Sequence, residues 1–333
     1  MEQFKEHVGL KVGWTYDHIS CENLIGSIRD PYVLSTESGI EMVPASIVYT
    51  KDIEGIRQSR VTGEAYKKVL FEYSRAREYM DNEAIGKYIV VDENAEAAIV
   101  ALPIAGAAIY SADQSLESFM SKDTPDSSVV KRFVARFPHI KFGIFGSQAL
   151  FLRQSSSDID MFVYGCKDFA QFQKMLGDKE TQAELGFEPI TKEEAEFNAQ
   201  RFANKYHVPL SQARRLSELR CRYRAKTSKG SRNVSISAAL SPSEFQNMSV
   251  LGTRKIAKFE DDGVVLDADY ATGFPRIYKV EVGGELLDVV SMHWSFRSLA
   301  SADQKVHIKG TRRERNSVDF ISLEGDDDRL LME

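Results

Sequence analysis

Residues 141–165 read KFGIFGSQALFLRQSSSDIDMFVYG, and this stretch decides the fold. The apolar run after Lys141 predicts a strand, Gly146-Ser147 a turn, and the residues after it a short helix. A second strand then carries Asp158 and Asp160. Side chains two apart on a strand share a face, so the two carboxylates stand together at one strand end while Ile159 and Met161 point the other way. Adjacent hard oxygen ligands suit Mg²⁺ (or Mn²⁺), which is commonly held by one or two carboxylates together with waters and substrate phosphates. Gly146 lets a backbone approach closely, and Ser147 opens a helix whose first amides favour phosphate. An Asp-Ile-Asp by itself is equally a pair of acids at an exposed strand end. Its weight here comes from joining Gly-Ser across two strands, and from the mutual repulsion of two acids that have no cation between them.

Gly146-Ser147 followed by Ser157-Asp158-Ile159-Asp160 and an apolar run resembles the signature of the polymerase-β-type nucleotidyltransferase superfamily. GLKVGWTYDHISCENLIGSIRDPYV at 9–33 and GFPRIYKVEVGGELLDVVSMHW at 273–294 are similar to a narrower group of uncharacterised predicted nucleotidyltransferases best known from archaea. The resemblance implies Mg²⁺-dependent transfer of a nucleoside monophosphate from an NTP to a hydroxyl on an RNA end or a protein. It implies metal ligation by Asp158 and Asp160 and phosphate seating by Gly146 and Ser147. It also implies a third carboxylate on a later strand. The expected strand, VSISAAL at 234–240, has no acid, and Ser237 sits about where one is wanted. Asp267, Asp269 and Asp288 are the alternatives, with Asp267 favoured as a metal ligand because Asp267-Ala268-Asp269 puts both acids on one strand face. If none serves, the alternative is a non-catalytic nucleotide- or RNA-binding protein with a degenerate transferase site. A regulator that modifies a partner protein would use the same chemistry.

The net charge of −6 argues against nucleic acid in bulk, but Arg201–Arg232 holds ten Lys or Arg residues and one acid, Glu218. Arg214 and Arg215, with Arg220, Arg222 and Arg224, are therefore expected to bind a triphosphate or an RNA backbone, and Tyr223 either stacks a base or packs inward. Lys309, Arg312, Arg313 and Arg315 form a second basic cluster, a candidate basic rim for single strands. No apolar run reaches the roughly 18 residues of a membrane span. Three scattered cysteines, Cys21, Cys166 and Cys221, fit neither a disulfide framework nor a zinc site, and a reducing cytoplasm is the expected location.

With 333 residues the chain has room for more than one domain, and its texture gives three, an α+β architecture overall. Residues 1–122 read as a small α+β domain, with a helix over VTGEAYKKVLFEYSRAREYM from the spacing of Val69, Leu70, Tyr73 and Ala76. Residues 123–245 read as a small mixed sheet with helices, the nucleotidyltransferase domain. Its first helix is capped by Asp126 or Ser127, and another is expected over 210–226. Residues 246–333 alternate apolar and polar positions between DDG, GG and NS turns, as a compact β-barrel or sandwich does.

Overall fold

The computed structural model describes the chain except residues 60–61, 153–156, 207, 220, 229, 242, 245–248, 292–299, 325–326 and 333. The chain is α+β. Ten strands come first: β1 (Glu2–Lys11), β2 (His18–Cys21), β3 (Leu24–Ile28), β4 (Tyr32–Thr36), β5 (Glu41–Lys51), β6 (Arg57–Gln58), β7 (Ala65–Phe71), β8 (Ile89–Asp92), β9 (Ala97–Pro103) and β10 (Ala108–Tyr110). They form one sheet in which β5 pairs β4 and β9 through its first half, and β3 and β7 through its second. Because β4 pairs β1, β1 pairs β8 and β8 pairs β9, the path β5-β4-β1-β8-β9 returns on itself as a five-stranded barrel. The helix expected over residues 61–80 is instead strand β7 followed by a 3₁₀ segment, Tyr73–Tyr79. Tyr66, Val69 and Phe71 suit a pleated surface, and the register with β5 (Tyr49 opposite Lys68, Thr50 opposite Lys67) overrides the helical spacing.

Helices α1 (Ala112–Met120) and α2 (Pro125–Arg136) lead into the second unit. Thr124, rather than Asp126 or Ser127, caps α2: its side chain accepts from the Ser127 amide, while Ser127 Oγ accepts from the Thr124 amide. There follow β11 (Phe142–Phe145), α3 (Gly146–Ala149), β12 (Ile159–Tyr164), α4 (Cys166–Leu176), α5 (Lys179–Leu185), β13 (Phe187–Pro189), α6 (Lys192–Tyr206), α7 (Leu210–Leu219), β14 (Cys221–Thr227) and β15 (Gly230–Ala239). The sheet order is β11-β12-β15-β14-β13, with β12 and β15 parallel and the other pairs antiparallel. The helix expected over 210–226 stops at Leu219. From Cys221 the chain alternates, with Tyr223 stacked on Phe187 and Ala225 buried, which is strand periodicity. One face of this sheet is covered by α2 and α4, whose Phe133, Phe169 and Phe172 meet Ile159, Met161 and Val163 of β12. The even residues of β12, Phe162 and Tyr164, turn the other way into the core of the first barrel. The two faces of one strand thus join two cores.

The third unit comprises β16 (Arg254–Asp267), β17 (Arg276–Val282), β18 (Glu285–Ser291), β19 (Lys305–Arg315), β20 (Val318–Leu323) and β21 (Arg329–Met332). The long β16 pairs β19 through its first part and β17 through its last, so the order β16-β17-β18-β20-β19 closes on itself, with β18 and β20 parallel. This is the pairing order of a five-stranded Greek-key barrel of the OB type. Val280, Val289, Val306, Ile308 and Ile321 fill it, and Ala199 and Phe202 of α6 with Ala213 of α7 join the same core. No helix among the described residues is long and apolar enough to cross a membrane.

Candidate functional site

Asp158 lies one residue before β12 and is exposed, and Asp160 is partly buried on the face that looks toward the first barrel. Gly146 sits at φ +68°, and a Cβ there would stand 3.0 Å from Asp160 Oδ2, so glycine permits both the turn and the carboxylate. Gln148 ties the motif together by donating to the Asp158 carbonyl at 3.4 Å. Ser147 is buried, and α3 is a single turn, so the dipole expected to favour phosphate is that of one turn only.

Strand register fixes what faces Asp160. Phe145 of β11, Asp160, Ser235 of β15 and Arg222 of β14 lie in one row across the sheet, and residues opposite one another share a face. The side chain opposite Asp160 is therefore Ser235, not Ser237, which pairs Phe162 one row away. Where a third acid is expected, the row offers a hydroxyl and then a guanidinium.

The first sheet supplies the other wall, through β5, β6 and β7. Tyr49 and Tyr66 pack with Leu150 and Leu152, which follow α3 directly. Lys68 is opposite Tyr49, and the Arg57 guanidinium lies over the Tyr49 ring at 5.8 Å. Burial, reinforced by Asp158, pushes the Asp160 carboxyl up to about 6, although the Lys68, Arg222 and Arg57 charges act in the opposite direction. Tyr49 is likewise pushed up by burial, and the Asp160 charge adds to this. Nε and Nη1 of Arg57 and Nε of Arg222 are buried without a hydrogen-bond partner.

The 201–232 arginines are divided by the fold. Arg214, on α7, pairs with Glu196 of α6 at 2.7 Å. The side chain of Arg215 and all of Arg220 lie outside the described residues. Arg224 pairs with Glu194, and with Ser157, Asp158, Ser231, Arg232 and Asn233 it lines an open cleft of about 260 Å³ beside Asp158. Asp267 stands at the end of β16, where its carboxylate accepts from the Asp269 amide; Asp288 pairs with Lys279 at 3.0 Å. Among the described residues no three His, Cys, Asp or Glu side chains are placed to hold a metal ion, so Asp267 does not complete a ligand set with Asp158 and Asp160 there. The carboxylate pair fits one Mg²⁺ completed by substrate oxygens. A second ion would lack a carboxylate in this row.

The second basic cluster is largely engaged inside the protein. Arg312 pairs with Glu285 and Asp319, Arg313 is buried on Glu324, and Arg315 donates to the Ser249 and Leu251 carbonyls. The outer face of β17 and β18, where OB-type barrels take oligonucleotides, presents Glu281 and Asp288 around Lys279.

Comparison of the chain with family models, with curated proteins and with solved structures found no match. Of the site residues, Arg57, Lys68 and Tyr49 carry no sequence signal. They belong to strands without a motif, and only the packing of β5 and β7 on Leu150 and Leu152 brings them in.

Proposed function

We propose that this protein has a nucleotidyltransferase fold at its centre and is a Mg²⁺-dependent nucleotidyltransferase, moving a nucleoside monophosphate from an NTP to a hydroxyl of an RNA end or a protein. The supporting observation is the pair Asp158 and Asp160 on one face of a strand end, with Gly146 in the left-handed region directly against Asp160. Bond by bond, the acceptor oxygen joins the α-phosphorus, the bond to the bridging oxygen of the β-phosphate breaks, and pyrophosphate leaves with that electron pair. The acceptor proton passes to water. Asp158 and Asp160 would hold the ion, which supplies charge neutralisation on the phosphoryl oxygens when bound. Asp160 must be ionised to do so, which burial alone opposes. Ser157, Ser231 and Asn233 line the cleft beside Asp158 and offer neutral hydrogen-bonding groups to a ribose or an acceptor hydroxyl.

The test is incorporation of label from α-phosphate-labelled NTPs into RNA ends or into protein, including the chain itself. Asp158→Asn and Asp160→Asn are each expected to abolish it with the fold retained. Undiminished labelling in both variants would sink the assignment.

Ser235 opposite Asp160 favours a second reading, a nucleotide-binding protein without turnover. Calorimetry that finds Mg²⁺-NTP binding in a chain that transfers nothing would select it.

A further inference from the structure

We infer that the polyphosphate tail of the nucleotide is bound by Arg57 of β6 and Lys68 of β7 together with Arg222 of β14, so that the first sheet forms one wall of the site. Naming the ligand a nucleoside triphosphate rests on the transferase reading; the anion site itself rests on geometry. Arg222 lies in the same cross-sheet row as Asp160, two strands away, and on the same face. Arg57 is fixed over Tyr49, and Tyr49 is fixed with Tyr66 against Leu150 and Leu152, the residues that follow the Gly146 turn. Lys68 stands opposite Tyr49 and two residues from Tyr66, on that same face of β7. Three cations from two separate sheets therefore converge where the carboxylate pair ends.

Their hydrogen bonding is unfinished among the described residues, where Nε and Nη1 of Arg57 and Nε of Arg222 are out of solvent and make no hydrogen bond. Buried guanidinium donors without acceptors are costly, and a fork of N–H groups matches phosphate oxygens. Asp158 and Asp160 stand on one strand face beside these cations and repel each other with no cation between them. A polyphosphate carrying Mg²⁺ answers both deficits: its oxygens accept from the guanidiniums, and its ion neutralises the carboxylates. Arg214 on α7 has no such part, since it is already paired with Glu196.

Calorimetric titration of the full-length chain with inorganic tripolyphosphate at fixed ionic strength, with and without Mg²⁺, tests the site without requiring turnover. Wild-type protein is expected to bind, and more tightly with Mg²⁺. Arg57→Gln and Arg222→Gln are each expected to weaken binding at least tenfold, while Arg214→Gln leaves it unchanged. Lys68 is exposed, so Lys68→Gln should fold whatever the others do, and it is expected to weaken binding several-fold. Absence of wild-type binding, an unchanged Lys68→Gln, or equal loss in Arg214→Gln overturns the inference. Displacement of tripolyphosphate by a single-stranded oligonucleotide lacking a terminal triphosphate overturns it as well, in favour of a nucleic-acid backbone. Loss of binding in these variants of a chain that transfers no label would overturn the transferase reading and keep the anion site. Transfer that persists in Arg57→Gln and Lys68→Gln with undiminished tripolyphosphate affinity would do the reverse.

Discussion

Asp160 is held in its cross-sheet row at a cost to the fold. Burial lifts its carboxyl from an ordinary 3.8 to about 6, so between those values the folded chain holds a proton that the unfolded chain has released. Its contribution to stability therefore falls as pH rises through that window, reaching on the order of 2 kcal/mol above it. Asp160→Asn is expected to raise the unfolding midpoint at pH 7.5 and to leave it nearly unchanged at pH 4. Mg²⁺ should then stabilise the wild type more than the variant. Comparing the two chains cancels Asp17 and Asp30, which burial also lifts to about 6. An Asn variant less stable at pH 7.5 would contradict this account. At Gly146 the left-handed φ and the 3.0 Å approach to Asp160 Oδ2 act together. Gly146→Ala should cost about 1–2 kcal/mol and weaken Mg²⁺ binding, read by thermal melts with and without the ion. These residues were legible because turn, helix and acids lie within one short stretch, and alternation alone puts both acids on one face. Arg57 and Lys68 were not, because their place in the site depends on which sheet packs against Leu150 and Leu152, a contact that no local pattern encodes.

Among the elements, α7 and β14 show how two periodicities compete over one basic run. Residues 210–219 keep helical spacing, and the same charge density continues into Arg222, Arg224 and Lys226, which invites the helix to continue. The apolar partners between them, Tyr223 and Ala225, recur every second residue, and that period decides. The consequence reaches the site, since only a strand can set Arg222 in the row of Asp160. Helix α2 is legible in full apart from its cap. Its Phe133 meets the rings of Phe137, Phe142, Phe172 and Phe187, with centroids 4.9–5.7 Å apart. Phe133→Ala is expected to cost about 3–5 kcal/mol, seen as an early loss of structure in denaturant. A loss under 1 kcal/mol would show that these rings close over the gap.

For the whole molecule, three sheets succeed one another along the chain; a barrel or sandwich was expected of the last, but the closure of the first sheet was not legible. Closure depends on β9 returning to β5 and on β19 returning to β16, pairings between segments far apart in sequence. One buried side chain ties the two barrels: Arg313 donates to the Ala95 carbonyl of the first while bound to Glu324 of the second at 2.5 Å. Arg313→Ala removes the guanidinium that faces the Glu324 carboxylate and should cost about 3–5 kcal/mol. Pairing it with Glu324→Gln should recover part of that loss, as measured by a double-mutant cycle of unfolding midpoints. Additive losses would show that the two side chains act separately.

Every strand pairing of the first barrel lies within residues 2–110, yet its core is completed by Phe162, Tyr164, Ala239, Leu251 and Phe274. Synthesis proceeds from the N-terminus, and the ribosome delivers those side chains last. The growing chain thus presents a paired barrel with an open oily flank until Phe274 has emerged, and a message cut short before that point yields a sticky fragment.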